Sequence, residues 1–497
     1  MIGRKKFFAC ALALFLALSA MPASAGVRGG AMFVGPDWER WKAAWPAMAA
    51  DLTRMSIAPG ADETQLNFAW YSRRGEKPTL LLGPSGGEMR EFVGTSGPVP
   101  PETTGGVAYQ YNHVTATGLR PDTEYHYSKG GEAPRTVRTP RRDEVNILFV
   151  SDPQIGASLG QRLEGEKLVN PEGAANTAAR SDSFAWDRTL SIAAARHPGL
   201  NLIVCAGDQV SKSVRNREEE YAGCLAPALL GRLPMATAIG NHDSTKPDWS
   251  WHFNNPNLTG LGMTRAGGDY FFLCGPALFV VLNTNNLNVA EHARILERAV
   301  RSHPEARWRV VVIHHDIYGA GFDHSGGDGM VLRTQLTPLF DRYAVDAVLQ
   351  GHDHSYFRSR ILRGDGRPHA AWGLSGWKGV PKGAVSLVLK PKTQAQQDAL
   401  NRFREDSRCW VIADDGGDTA TDPSGTLYAM MNSASGSKFY MLMKERQEYA
   451  AVQSQNDLPC YAVIRVTRDA FALETFQILN SGAPERIDAF TIRKTRQ

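Results

Sequence analysis

Beyond its first 25 residues this chain has no apolar run long enough to cross a bilayer. The stretch Ala277 to Leu282 (ALFVVL) falls far short of the roughly 20 residues a span requires. It also lacks an excess of charge: the formal value of +4 becomes +1 once Arg4, Lys5 and Lys6 are discounted, which leaves no signature of nucleic-acid or other polyanion binding. No fixed repeat, collagen-like period or low-complexity tract occurs, so disorder and solenoid architectures are excluded. A GxSxG elbow is missing, and Gly436-Ser437 in NSASGSKF does not have that spacing. Walker-type and dinucleotide fingerprints are also absent from any strand-to-helix context. Cysteine is sparse. Five remain outside the N-terminal segment, Cys205, Cys224, Cys274, Cys409 and Cys460, and an odd number leaves at least one unpaired. Cys205 ends an apolar strand and reads as a core residue, while Cys409 and Cys460 are candidates for a bridge.

The first 25 residues have a different composition. A basic head (Arg4-Lys5-Lys6), an apolar run from Phe7 to Ala20 and the small residues Ala23-Ser24-Ala25 together predict a secretory signal peptide cut after Ala25, hence a secreted or periplasmic protein. No Arg pair or cleavage-site Cys points to the twin-Arg route or to a lipid anchor. A lead-in over 26–50 follows, in which Asp37 to Thr53 is expected to hold a helical turn or two broken at Pro46.

Residues 51–140 read as all-β. Leu66, Phe68 and Trp70 alternate with Gln65, Asn67 and Ala69, and Gly/Pro clusters punctuate the segment into short strands. The spacing of Leu119, Pro121, Thr123, Tyr125 and Tyr127 resembles the tyrosine-corner region of fibronectin type III sandwiches. From 141 to 497 the rhythm becomes α/β, with buried strands expected at Val145–Val150, Leu202–Cys205, Met235–Ile239, Arg309–Ile313 and Ala347–Leu349. A hairpin is expected at Tyr270–Leu282, and a helix over Asp182–Arg196 with an Asp/Ser cap. Within this part, about 361–424 reads as an insertion, Gly-rich at first and helical from Thr393 to Arg404, serving either as a cover over a crevice or as a surface decoration. The final stretch, CYAVIRVTRDAFALETFQI, reads as a hairpin covering a sheet edge.

Each of the five strands is followed by side chains able to bind metal: Asp152 and Gln154; Asp208; Asn241, His242 and Asp243; His314; His352 and His354. In an open α/β sheet the carboxyl ends of the strands share one crevice, so these groups, far apart in sequence, are expected to converge. Taken singly, a strand-end Asp is as readily a helix cap and a His an ordinary polar residue. Five such loops together point to a site, and small Gly residues in them let the backbone bring a ligand close.

The sequences GDQV, GNHD and GHDH, with an Asp-x-Gln before them, resemble the calcineurin-like metallophosphoesterases. The preceding β-segment, the run LRTQLTPLFDRYAVDAVLQGHDHSYFRS and the position of His324 resemble the purple acid phosphatase branch. That resemblance implies a four-layer αββα catalytic fold preceded by a fibronectin III-like sandwich. It implies two divalent ions (Fe, Mn or Zn) bridged by Asp208, one taking Asp152, Gln154 and His354 and the other Asn241, His314 and His352. His242 and His324 would face the substrate, one of them as general acid. His315 is left out, because neighbours on an extended chain point in opposite directions.

The implied activity is hydrolysis of small phosphorylated substrates, phosphomonoesters first, by attack of metal-bound hydroxide; the alternatives are phosphodiesters, nucleotides or pyrophosphate on the same site, or a non-catalytic envelope-binding protein. Asp243 is either an orienting partner of His242 or a solvated loop charge, and Arg333 either a substrate contact or a surface salt bridge. The branch places a Tyr three residues after the bridging Asp. Here that position is Ser211, so no tyrosinate–iron colour is expected, and the amide oxygen of Gln154 is offered as the substitute ligand.

Overall fold

Along Glu144–Val150 the side chains alternate between two cores. Val145, Ile147 and Phe149 enter one, Leu148 and Val150 the other, and this period of two places the strand between two packed layers. The computed structural model describes residues 24–25, 33–158, 162–164, 167–169, 174–211, 217–414 and 417–495. The expected signal peptide lies outside the described residues except for Ser24–Ala25.

Helix α1 (Pro36–Ala50) leads into strands β1 (Ser56–Pro59), β2 (Leu66–Arg73), β3 (Thr79–Pro84), β4 (Arg90–Val93), β5 (Thr95–Pro98), β6 (Tyr109–Ala116), β7 (Glu124–Ser128) and β8 (Arg135–Arg138). These strands form two four-stranded antiparallel sheets, β1-β2-β6-β5 and β4-β3-β7-β8, around Leu66, Phe68, Trp70, Leu80, Val114 and Tyr127. The Tyr125 hydroxyl accepts from the Arg120 N–H at 2.8 Å, a tyrosine-corner contact that fixes the turn before β7.

The rest of the chain runs β9 (Glu144–Val150), α2 (Ala174–Arg196), β10 (Leu202–Cys205), α3 (Arg217–Cys224), β11 (Met235–Thr237), β12 (Tyr270–Cys274), β13 (Ala277–Leu282), α4 (Val289–Ser302), β14 (Trp308–Ile313), α5 (Arg333–Arg342) and β15 (Ala347–Gln350). It continues through β16 (Tyr356–Ser359), α6 (Gln394–Asp406), β17 (Thr419–Thr421), β18 (Leu427–Met430), β19 (Ala450–Ser454), β20 (Cys460–Thr467), β21 (Ala470–Ile478) and β22 (Pro484–Arg493). One seven-stranded sheet is ordered β11-β10-β9-β20-β21-β22-β17 and the other β12-β13-β14-β15-β18-β16-β19. Their inner faces share one apolar core, while α1–α3 cover the outside of the first sheet and α4–α6 the outside of the second. This is the four-layer αββα arrangement. Strands β9, β10 and β11 run parallel, as do β13, β14, β15 and β18, so their carboxyl ends gather on one side.

Several expectations are corrected. Helix α1 continues through Pro46, because the buried Trp38 and Trp45 anchor both halves of it. Helix α2 begins at Ala174, so Asp182 is no cap; its carboxylate accepts from the backbone of Gly156 (3.0 Å) and Ser158 (3.2 Å), tying the helix to the loop after β9. No bridge links Cys409 to Cys460: all five described cysteines are free and buried. The β20–β21 hairpin does not cover an edge, since β20 pairs with β9 and β22 extends the sheet further. The segment 361–424 is packed into the fold and is not a decoration. Leu374, Leu387, Leu400 and Phe403 join the core beneath α5, and β17 joins the first sheet.

Candidate active site

Five of the strand-end residues hold left-handed backbone: Asp152 (φ 50°), Gln154 (37°), Asp208 (51°), His352 (76°) and His354 (30°). For non-glycine residues this is an unfavourable conformation, concentrated here in one crevice at the carboxyl ends of β9, β10 and β15. Glycines make room beside them. A Cβ on Gly240 would stand 1.9 Å from Asp208 Oδ1, and one on Gly351 2.5 Å from Asp152 Oδ2. Gly207 (φ 110°) could not carry a side chain, because its Cβ would meet His314 Nδ1 at 2.5 Å.

The structure brings together Asp152, Gln154, Asp208, Asn241, His242, His314, His324, His352 and His354. The Asp208 carboxylate is central: its Oδ1 accepts from the His242 N–H at 2.9 Å and lies 3.5 Å from His314 Nε2, while its Oδ2 accepts from Gln154 Nε2 at 3.3 Å. On one side, His354 Nε2 stands 3.3 Å from Asp152 Oδ1. On the other, His314 Nε2 lies 3.0 Å from Asn241 Oδ1 and 3.2 Å from His352 Nδ1. Backbone carbonyls fix two of the rings: His314 Nδ1 contacts Ala206 O and His354 Nδ1 contacts Lys438 O, both at 2.9 Å. In each case the other nitrogen faces inward.

The donors suit cations. Gln154 Oε1 is buried without a hydrogen-bond partner, and Asp152 Oδ1 and His352 Nε2 have only the longer contacts to His354 (3.3 Å) and Asp328 (3.7 Å), an arrangement that is costly unless something else satisfies them. Asp152, Asp208 and His314 offer ligand atoms within 4.8 Å of one another, and so do His324, Asp328 and His352. Burial opposes ionisation of Asp152, yet the adjacent His354 outweighs it and holds the carboxyl at about 2. Burial pushes His352 far below the usual imidazole range, reinforced by His324 and His315, which keeps its ring neutral and its lone pair available.

Sequence reasoning missed Asp328. Its Oδ1 accepts from His324 Nδ1 at 2.9 Å, and its Oδ2 lies 3.7 Å from His352 Nε2. Burial would lower His324, but the Asp328 contact raises it to about 9. Both residues lie in the turns between β14 and α5, where a spacing of four residues signals no contact. Also missed were Ser433 and Ser435, whose hydroxyls donate to Asp152 O (2.8 Å) and Pro153 O (2.5 Å), and Tyr440, whose ring lies 4.9 Å from His354 and 5.4 Å from His324. These residues lie in MNSASGSKFY, where nothing marks them as site residues. His315, left out above, does border the group: its ring lies 4.5 Å from His352, its Nδ1 contacts Thr284 Oγ1 at 2.8 Å, and burial lowers it to about 3.

Two assignments change. Asp243 is not a solvated loop charge. It is fully buried, and its Oδ2 accepts from the N–H groups of Gly240 (2.9 Å) and Gln209 (3.3 Å), clasping the two loop backbones; burial raises it to about 7. Arg333 makes no surface salt bridge. Buried at the start of α5, it donates to Ile317 O and to Ser407 O (3.0 Å) and stacks 4.4 Å over Tyr318.

Residues 145–356 match the family model for calcineurin-like phosphoesterases. An uncharacterized protein of Mycobacterium tuberculosis (strain H37Rv) is 27% identical over 284 residues, 51% of each chain, so this chain spans about half the length of the curated relatives it matches. A purple acid phosphatase from yellow lupin (Lupinus luteus) seeds superposes with a TM-score of 0.60 at 13% identity, covering 89% of this chain and 75% of that one. PhoD superposes with a TM-score of 0.53 at 11% identity over 90% of both chains. At such identities the likeness is one of fold.

Proposed function

From the membership of residues 145–356 in the calcineurin-like phosphoesterases, we propose that this protein is an exported, dinuclear metal-dependent hydrolase of phosphomonoesters. The observation that carries the reading is the position of Asp208, whose two carboxylate oxygens face different donor groups. In this reading Asp152, Gln154 and His354 would hold one divalent ion and Asn241, His314 and His352 the other, with Asp208 available to both. Manganese, ferrous iron or zinc suits such mixed nitrogen and oxygen donors. When bound, the ions supply Lewis acidity towards the phosphoryl oxygens and lower the pKa of water.

The chain's own residues do the rest. Glycines at 207, 240 and 351 allow the donors to approach one another, and the backbone contacts of His314 and His354 orient their rings. His242 and His324 stand at the edge of the group and face the substrate. Asp328 contacts His324 Nδ1, which leaves Nε2 as the atom that hands a proton to the departing alkoxide. His242 Nε2 lies 4.0 Å from Asp208 Oδ2, where it would meet a phosphoryl group bound in the same pocket.

The test is a phosphate-release panel on protein loaded with manganese, iron or zinc. Release from p-nitrophenyl phosphate that exceeds turnover of bis(p-nitrophenyl) phosphate supports the monoester assignment, and the opposite ranking transfers the site to diesters. Export is checked by N-terminal sequencing of the mature protein, which should begin at Gly26.

A further inference from the structure

The centre itself is polar, yet large apolar side chains stand exposed beside it, next to the charged Asp323 and Lys438. Among the described large apolar side chains, Phe322 is 55% exposed, Met441 52% and Leu389 36%. Singly scattered, such residues need no explanation. Here they converge from three separate segments. The Phe322 N–H donates to Met441 O at 2.7 Å, and this pairing continues between Gly321 and Leu442. Phe322 lies two residues before His324, and Met441 directly follows Tyr440, whose ring faces His324 and His354. Leu389 comes from the segment 361–424: its Cδ1 is 3.7 Å from where a Cβ on Gly327 would stand, next to Asp328. The same segment sends Trp377 to within 5.1 Å of the His315 ring.

Resting on the hydrolase reading above, we propose that Phe322, Met441, Leu389, Tyr440 and Trp377 form an apolar subsite for the alcohol part of the ester. The substrate class is then phosphomonoesters of bulky apolar alcohols, aromatic or long-chain, in preference to sugar phosphates. The phosphoryl group lies among the strand-end donors. Water adds to phosphorus, the bond from phosphorus to the alcohol oxygen breaks, and that oxygen takes a proton as the alcohol leaves across the rim. A sugar there would set hydroxyls against Phe322, Met441 and Leu389, which offer them no side-chain hydrogen bond, whereas an aromatic or alkyl group removes apolar surface from water on both partners. The segment 361–424 acquires a role in selecting substrate through Leu389 and Trp377.

The experiment is calorimetric binding of methylphosphonate and 1-naphthylmethylphosphonate, neither of which is hydrolysed, to the manganese-loaded full chain. The naphthyl compound should bind roughly tenfold more tightly or better, the increment expected for burying part of an aromatic ring. The double substitution Phe322→Ser with Met441→Ser should reduce that advantage to about threefold or less and leave methylphosphonate binding unchanged; Leu389→Ser, from a different segment, should reduce it by a smaller factor. Equal affinity of the two compounds for the unmodified protein, or an advantage that survives the double substitution, overturns the subsite while leaving the hydrolase reading intact. Failure of both compounds to bind overturns both.

Discussion

The backbone N–H of His352 donates to Asp152 Oδ2 at 2.9 Å, although the two residues are 200 positions apart. The contact joins the loop after β15 in one sheet to the loop after β9 in the other. Ser151 adds a hydrogen bond to the same oxygen at 2.5 Å, so backbone and hydroxyl groups hold one carboxylate oxygen while the other faces His354 Nε2 at 3.3 Å. A site built in this way is positioned before any ligand arrives.

Substitution of the shared carboxylate should abolish function without unfolding the chain. Asp208→Ala and His352→Ala are each expected to lower phosphate release by about 100-fold or more, since even outer partners of metal ligands are commonly worth 10–100-fold. Added manganese should raise the melting temperature of the unmodified protein, by about 2.7 kcal/mol of stability at 100 times the dissociation constant, and should leave the Asp208→Ala variant unmoved. Far-UV circular dichroism would show whether the fold persists.

Gly240→Ala tests the close approach of the loop after β11. The new methyl group would meet Asp208 at 1.9 Å, with backbone atoms of Asp208 also in the way, so the loop must shift. A loss of about 1–3 kcal/mol in denaturant titration is expected, accompanied by weaker metal binding. A variant with unchanged stability and metal affinity would show that the loop yields freely.

Glu220 in α3 sets a pH dependence away from the donors. Burial, partly offset by Arg217, raises its carboxyl from an ordinary value near 4.5 to about 9, and its Oε2 is buried without a hydrogen-bond partner. The folded state therefore keeps a proton that the unfolded chain releases above about 4.5, so this residue's contribution falls steadily as pH rises from about 4.5 to about 9. Glu220→Gln should flatten that slope and stabilise the protein at pH 8 by more than about 1 kcal/mol, measured by urea titration at pH 5, 6.5 and 8.

Arg333→Met separates packing from catalysis. The guanidinium is committed to carbonyl oxygens of Ile317 and Ser407, so the expected outcome is a loss of about 2–4 kcal/mol in stability, with KM for a small ester unchanged. A selective rise in KM at full stability would return Arg333 to the substrate.

The strand ends were legible because their signal is local. A β-branched run followed by Gly and a polar donor states both where a strand stops and what it presents, and the parallel α/β rhythm implies that such ends share one side. Asp328 and Ser433 carry no comparable pattern. They belong to loops whose direction depends on packing, and the burial that turns Asp243 and Arg333 towards backbone groups has no local signal either. Helix α1 passes through Pro46 for a similar reason, since its buried tryptophans outweigh a local breaker.

By itself, the order of residues determined the layered fold, the chemistry of the donors and the set of loops that carry them, because periodicity and turn chemistry act over a few neighbours. Tertiary structure alone decided that Asp208 stands between two donor groups, that Asp328 backs His324, and that Phe322 pairs with Met441 beside them. Those relations depend on how loops and sheets pack, and packing brings together segments tens to hundreds of positions apart, which no local pattern encodes.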